Sequence, residues 1–176
     1  TESSGAGSDF LARVCRAWEK EAMKAEKLGI RVICIRTGLV LGENGGALPR
    51  LIPVFKAGLG GKLGNGRQYM AWIHIDDLTG IMEYAAANRD LKGPVNAVAP
   101  KPLTNKDFSK TLAAVLHRPA VFPVPAPLLR LVLGEFGNVL LSSQRAIPEK
   151  LEKTGYRFQY PVIEEALEAA IGKRGK

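Results

Sequence analysis

The side chains that could do chemistry are few and mostly isolated. Gly58 to Gly66 reads GLGGKLGNG, five glycines around Lys62, and runs straight into Arg67-Gln68. Such a stretch either cradles an anion with backbone N–H groups or forms a plain hairpin-like turn, and the residues alone favour neither. It lacks the Gly-Lys-Ser/Thr ending of a P-loop and the spacing of G-x-G-x-x-G. Asp76 and Asp77 are neighbours, which suits a helix N-terminus better than a pair of carboxylates sharing a proton. His74, one of two histidines, lies two residues from Trp72, so a strand would point both to one face. A lone strand histidine is most simply structural, and so is His117, placed where a helix end favours a cation. Histidine and cysteine do not cluster as metal ligands would, so no metal site is expected.

The element that must position these groups is Ile30 to Gly46, IRVICIRTGLVLGENGG. Arg31 to Arg36 reads as a buried strand of a parallel sheet, covered on both faces, that breaks at Thr37-Gly38. Open α/β sheets place ligands beyond the carboxyl ends of their strands, so a site is expected near Gly38 to Gly42. Before the strand, Asp9 caps a helix with Phe10, Val14, Ala17, Trp18 and Ala22 at helical spacing, and Gly29 ends it. Thr1 to Ser8 is small, polar and expected to be flexible. A chain that opens helix-then-strand opens inside a βαβ unit, so further chain toward the N-terminus is expected.

Downstream, a short helix runs from Leu48-Pro49 through Phe55. Tyr69 to Ile75 is a strand, Asp76 caps a helix, and Val95 to Ala99 is another strand. Thr104 then caps a helix with Asp107 at its third position. Four prolines between Pro119 and Pro127 keep that stretch extended. Leu128 to Leu133 and Val139 to Leu141 are strongly apolar and read as helices closing a pocket, a partner surface or a membrane-facing element, with burial against the main domain the expectation. Ile147 to Thr154 reads as a short helix, Gly155 to Tyr160 as a short strand, and Ile163 to Ile171 as an amphipathic helix.

The totals fit one domain: 176 residues, 46% hydrophobic and 24% charged, with no apolar run long enough for a membrane helix. The net charge of +8 is scattered along the sequence apart from the terminal Lys173 to Lys176 tail, and without interleaved aromatics it argues against nucleic-acid binding. Cys15 and Cys34 are most simply buried free thiols of a reducing compartment, a lone disulfide being the alternative, and with no visible signal segment this points to the cytoplasm.

Several stretches together resemble the extended short-chain dehydrogenase/reductase superfamily: Arg36 to Gly42, Trp72 to Leu78, and Asn96 to Pro100. More narrowly the chain is similar to an atypical, epimerase-like branch, part of it labelled cell-division inhibitor. Asp9-Phe10-Leu11 with Trp18-Glu19, Gly64 to Gln68, Ser143 to Pro148 and Thr154 to Phe158 carry that likeness. The resemblance implies the C-terminal part of a Rossmann-like doubly wound parallel sheet over residues 1–100. A small helical substrate-side subdomain would occupy 101–176. It implies NADP or NAD as cofactor, with the glycine-rich half supplied upstream, and contact through Gly38, Leu39 and Val40. Arg67, Gln68, Trp72 and His74 would face the substrate, Arg67 taking an anionic group. Members use a Tyr and a Lys four residues apart on the helix that matches Asp9 to Lys27. With Glu19 aligned, those positions fall at Leu11 and Cys15, so the catalytic pair is missing. The expected partner is a small-molecule substrate, with no nucleic acid and no membrane, and a homo-oligomer is admitted. The resemblance thus leaves open an oxidoreductase or epimerase and a non-enzymatic nucleotide-sensing or interaction protein.

Overall fold

The protein is described from a computed structural model, which covers residues 1–43, 45, 48–134, 138 and 140–172. Helix α1 spans Phe10–Ala22, and Asp9 caps it by accepting from the Ala12 N–H at 2.9 Å. A 3₁₀ segment, Met23–Leu28, closes on Gly29, whose φ of 74° is the left-handed turn that glycine adopts without cost. Strand β1 follows at Ile33–Thr37 and β2 at Leu39–Leu41, so the strand read from Arg31 starts two residues later and bends rather than ends. Helix α2 is Leu48–Lys56.

The single strand expected over Tyr69 to Ile75 is two pieces, β3 at Tyr69–Met70 and β4 at Trp72–His74. The reason lies in their partners. β4 pairs in parallel with β2, whereas β3 pairs antiparallel with β6, Leu103–Thr104, so the chain changes sheets at Ala71. Helix α3, Ile75–Ala87, starts on His74, whose Nδ1 accepts from the Asp76 N–H at 3.2 Å. The cap expected at Asp76 therefore belongs to His74. Strand β5, Gly93–Ala97, runs parallel to β1. Helix α4, Asn105–Val115, is capped as expected, with the Thr104 hydroxyl accepting from the Asp107 N–H. Helices α5, Ala126–Leu133, α6, Glu149–Lys153, and α7, Ile163–Gly172, complete the order.

Two apolar clusters lie on the two faces of the parallel strands. One gathers Leu41, Trp72, Phe108, Leu112, Ala166 and Leu167, and the other Ile73, Ile81, Leu91, Val95 and Leu151. Adjacent Trp72 and Ile73 fall in different clusters, as strand alternation requires. The first cluster draws on α2, β4, α4 and α7, so residues before and after position 100 share one core.

Gly155 to Tyr160, read as a strand, carries no ladder. Its N–H groups at Gln159 and Tyr160 go instead to the Asp77 carboxylate, at 2.7 and 2.9 Å. Thr1 to Ser8 is not all loose either: Glu2 is 7% exposed and accepts from the backbone N–H groups of Asn96 and Lys150. Of the apolar stretch at 128–141, Leu129 is buried while Leu128 and Leu131 are exposed, and Val139 lies outside the described residues. The Lys173 to Lys176 tail also lies outside them.

Candidate active site

The bend between β1 and β2 is the feature around which a site can form. Gly38 donates to the Ala97 carbonyl at 3.3 Å and Leu39 to the Ala71 carbonyl at 2.8 Å, so one strand leaves β5 and joins β4 within two residues. A Cβ at Gly38 would stand 2.9 Å from the Ala71 carbonyl carbon and oxygen, so only glycine lets the two backbones approach this closely. The bend sits at the carboxyl end of β1, with Thr37 exposed beside it. This is the position that open α/β sheets use for ligands.

Of the three residues expected to meet a cofactor, Gly38 and Leu39 thus spend their N–H groups inside the sheet. Leu39 packs against the first cluster and Val40 against the second, both half-buried. What this segment can offer a ligand is carbonyl oxygen, the Thr37 hydroxyl and apolar surface.

The four residues expected around a substrate separate. Trp72 is 1% exposed, and its Nε1 donates to the Lys101 carbonyl. His74 shares its face, as spacing predicted, and its ring meets Tyr160 at 4.1 Å between centroids. Buried Gln68 donates through Nε2 to the Leu63 carbonyl at 3.1 Å and to the Leu140 carbonyl at 3.4 Å, tying the glycine turn to the segment after α5. Arg67 alone presents its side chain to solvent.

The glycine turn itself is built rather than loose. Gly64 and Gly66 take positive φ, the Leu63 N–H is held by the Asn105 side chain, and Gly64 donates to the Val124 carbonyl. Gly66 lies between Lys62 and Lys106, each with a side-chain carbon 3.0 Å from where its Cβ would be. Arg145 lies over the Tyr69 ring at 5.3 Å. The turn therefore brings Lys62 and Lys106 to either side of Gly66, next in sequence to the exposed Arg67, on a fixed backbone.

Three polar anchors hold this frame, and sequence reading missed all of them. Arg31 donates to the carbonyls of Ala85, Ala86, Asn88 and Leu91, closing the carboxyl end of α3 with a cation where the helix dipole favours one. Asp77, 1% exposed, holds the Gln159–Tyr160 backbone, and the Tyr156 hydroxyl donates to its carbonyl. Burial, helped by Asp77 and Glu83, pushes the Tyr156 phenol up to about 12. Neither role leaves a local signature, because each partner lies more than fifty residues away. The third anchor is Glu19, which the Arg36 guanidinium grips through Nε and Nη2 at 2.6 and 2.7 Å. That hydrogen bonding holds the Glu19 carboxyl below its usual range and Arg36 above its own.

The cysteines correct an expectation. Cys15 is exposed on α1 and Cys34 half-buried, because the apolar spacing around Cys15 belongs to a face that the described residues leave open. Burial and the nearby Glu19 raise the Cys34 thiol, so it is a poor nucleophile. Leu11 and Cys15, one turn apart, both face solvent. No group of three metal-ligating side chains occurs among the described residues.

Comparison with known proteins agrees with this frame. The profile of the NAD dependent epimerase/dehydratase family matches residues 11–98, and a domain of unknown function matches 124–170. An epimerase family protein SDR39U1 homologue of Arabidopsis thaliana, described as chloroplastic, is 43% identical over 170 residues, 97% of this chain and 49% of that protein. The crystal structure of human epimerase family protein SDR39U1 with NADPH superposes with a TM-score of 0.85 at 34% identity, covering 96% of this chain and 58% of that one. A structure from Corynebacterium glutamicum described as a nucleoside-diphosphate sugar epimerase gives 0.79 at 38% identity, over 98% of this chain and 33% of that one. The chain spans about half the length of the curated relatives it matches. The bent parallel strand at Gly38 and the profile match across it lead to one conclusion: the chain belongs to the NAD dependent epimerase/dehydratase family.

Proposed function

We propose that this chain forms the substrate-side part of an NAD(P)-dependent epimerase or oxidoreductase, with NADP the favoured cofactor. The observation that carries this reading is the Gly38 bend at the carboxyl end of β1, in a fold matched by an NADPH-bound relative. When bound, the nicotinamide would supply or accept the hydride. This chain's Thr37 to Val40 would wall the ring through carbonyl, hydroxyl and apolar surface. Arg67, with Lys62 and Lys106 nearby, would hold an anionic group of the substrate. The glycine turn Gly58 to Gly66 does not have dinucleotide-fingerprint spacing, so the pyrophosphate would be cradled by residues outside these 176.

A second reading has its own support. With Glu19 aligned to the family's glutamate, the tyrosine and lysine positions fall at Leu11 and Cys15, and neither supplies that pair's acid/base chemistry. That favours a nucleotide-sensing or interaction protein in which the cofactor is bound but not turned over. One assay separates the two. The natural protein at full length is mixed with NADPH and a panel of nucleotide sugars and small carbonyl compounds, and absorbance of the reduced nicotinamide is followed. Turnover far above background, lost in Arg67→Ala through a raised KM, supports the enzyme. Binding without turnover across the panel supports the sensor.

A further inference from the structure

The charge that looks scattered in sequence is gathered by the fold. Leu48 to Ile75 and His117 to Gly134 contain Arg50, Lys56, Lys62, Arg67, Arg118 and Arg130, and not one aspartate or glutamate. The two stretches together thus carry a net +6 in a chain of net +8, with about forty residues between them. The structure lays these stretches side by side. Arg118 donates to the Lys56 carbonyl at 3.0 Å, Gly61 lies against the Phe122 backbone, and Leu63 bridges Val124 in parallel.

Along this seam the apolar side chains point outward. Val121 is 63% exposed and Phe122 55%, held between Pro119 and Pro123. Val54 and Leu59 at the end of α2, and Leu128 and Leu131 on α5, are exposed as well. Single exposed apolar residues are ordinary, but these six lie together on the two acid-free stretches.

We infer that this seam is a surface for docking onto an anionic lipid bilayer. Cations of the seam outside the substrate-side turn, Lys56 and Arg118 above all, settle at lipid phosphates, each contributing about 1 kcal/mol, while a phenylalanine and short aliphatic chains enter the boundary below the headgroups. The charge complementarity selects the occupant. An acidic protein would need carboxylates matched to cations in a formed interface, whereas here they are spread along a seam with apolar groups between them. A fluid anionic surface matches that pattern without register. This revises the expectation of no membrane contact; the attachment is peripheral, since no described helix is long and apolar enough to cross a bilayer.

The test is sedimentation with vesicles of phosphatidylcholine alone and of equal parts phosphatidylcholine and phosphatidylglycerol. Three proteins are compared: the full chain, Val121→Ser/Phe122→Ser, and Lys56→Glu, each checked for an unchanged thermal melt. The expected result is binding to the anionic vesicles only. Each variant should weaken it about tenfold, the first through lost apolar insertion and the second through reversed charge. Absence of binding to anionic vesicles overturns the proposal. So does equal binding of the serine variant, which would reduce the seam to nonspecific cation attraction. Tight capture of an acidic protein or a random duplex, with no vesicle binding, overturns it in favour of that partner.

Discussion

Helices α1 and α7 both show one apolar face at helical spacing, yet they end up in opposite environments. α7 buries Ile163, Ala166, Leu167 and Ala170 against α4 and the Trp72 cluster. α1 buries nothing, and its Phe10, Leu11 and Trp18 stand exposed. Its described anchor is polar, the two-pronged Glu19–Arg36 pair on β1. Amphipathic spacing records that a helix has a face to cover, and says nothing about which residues cover it. The same contrast runs through the strands: β4 is buried along its length, while Ile33 to Arg36 of β1 are half-buried, though β1 is apolar enough for a sheet centre.

Substitutions can break this contrast, and the largest effect belongs on the α7 side. Leu167→Ala, at a fully buried position, should cost about 3 kcal/mol in urea unfolding through lost transfer energy plus a cavity. Asp77→Ala should cost about 2 kcal/mol, since the Gln159 and Tyr160 N–H groups lose a charged acceptor, and Asp77→Asn should recover part of it.

On the α1 side the expected effects are smaller. Glu19→Gln should cost about 1 kcal/mol near neutral pH, discounted because Arg36 is 38% exposed. The sign with pH is fixed by the carboxyl's lowered value. The contribution is present above its unfolded value near 4.5, and it is lost as pH falls through the lower folded value. The wild type should therefore converge on the variant in acid. Trp18→Ser should change stability by no more than about 0.5 kcal/mol. A Trp18 cost equal to that of Leu167 would mean that α1 is covered in solution and would end the contrast.

The part of the fold written in local pattern was legible. The αL glycine at Gly29, the Asp9 and Thr104 caps, the shared face of Trp72 and His74, and the parallel strands all follow from short-range chemistry. What was not legible depends on distant partners. The split of Tyr69 to Ile75 arises because β2 and β6 recruit its halves separately. The false strand at Gly155 to Tyr160 comes from aromatic spacing that serves Tyr84–Tyr156–Phe158 edge contacts and the Asp77 clamp instead. The glycine at Gly38 was read as the end of the strand, whereas the strand bends there into β2, because the cause, the close approach of the Ala71 backbone, is tertiary.

The most direct measurement is a thermal melt of the natural protein at full length, with saturating NADPH, with NADH, and with neither. A ligand bound only by the native state stabilises it by about 2.7 kcal/mol at a hundredfold excess over its Kd. The account predicts a clear rise in Tm with NADPH and a smaller one with NADH. An unchanged Tm with both nucleotides would contradict the cofactor site placed at the Gly38 bend.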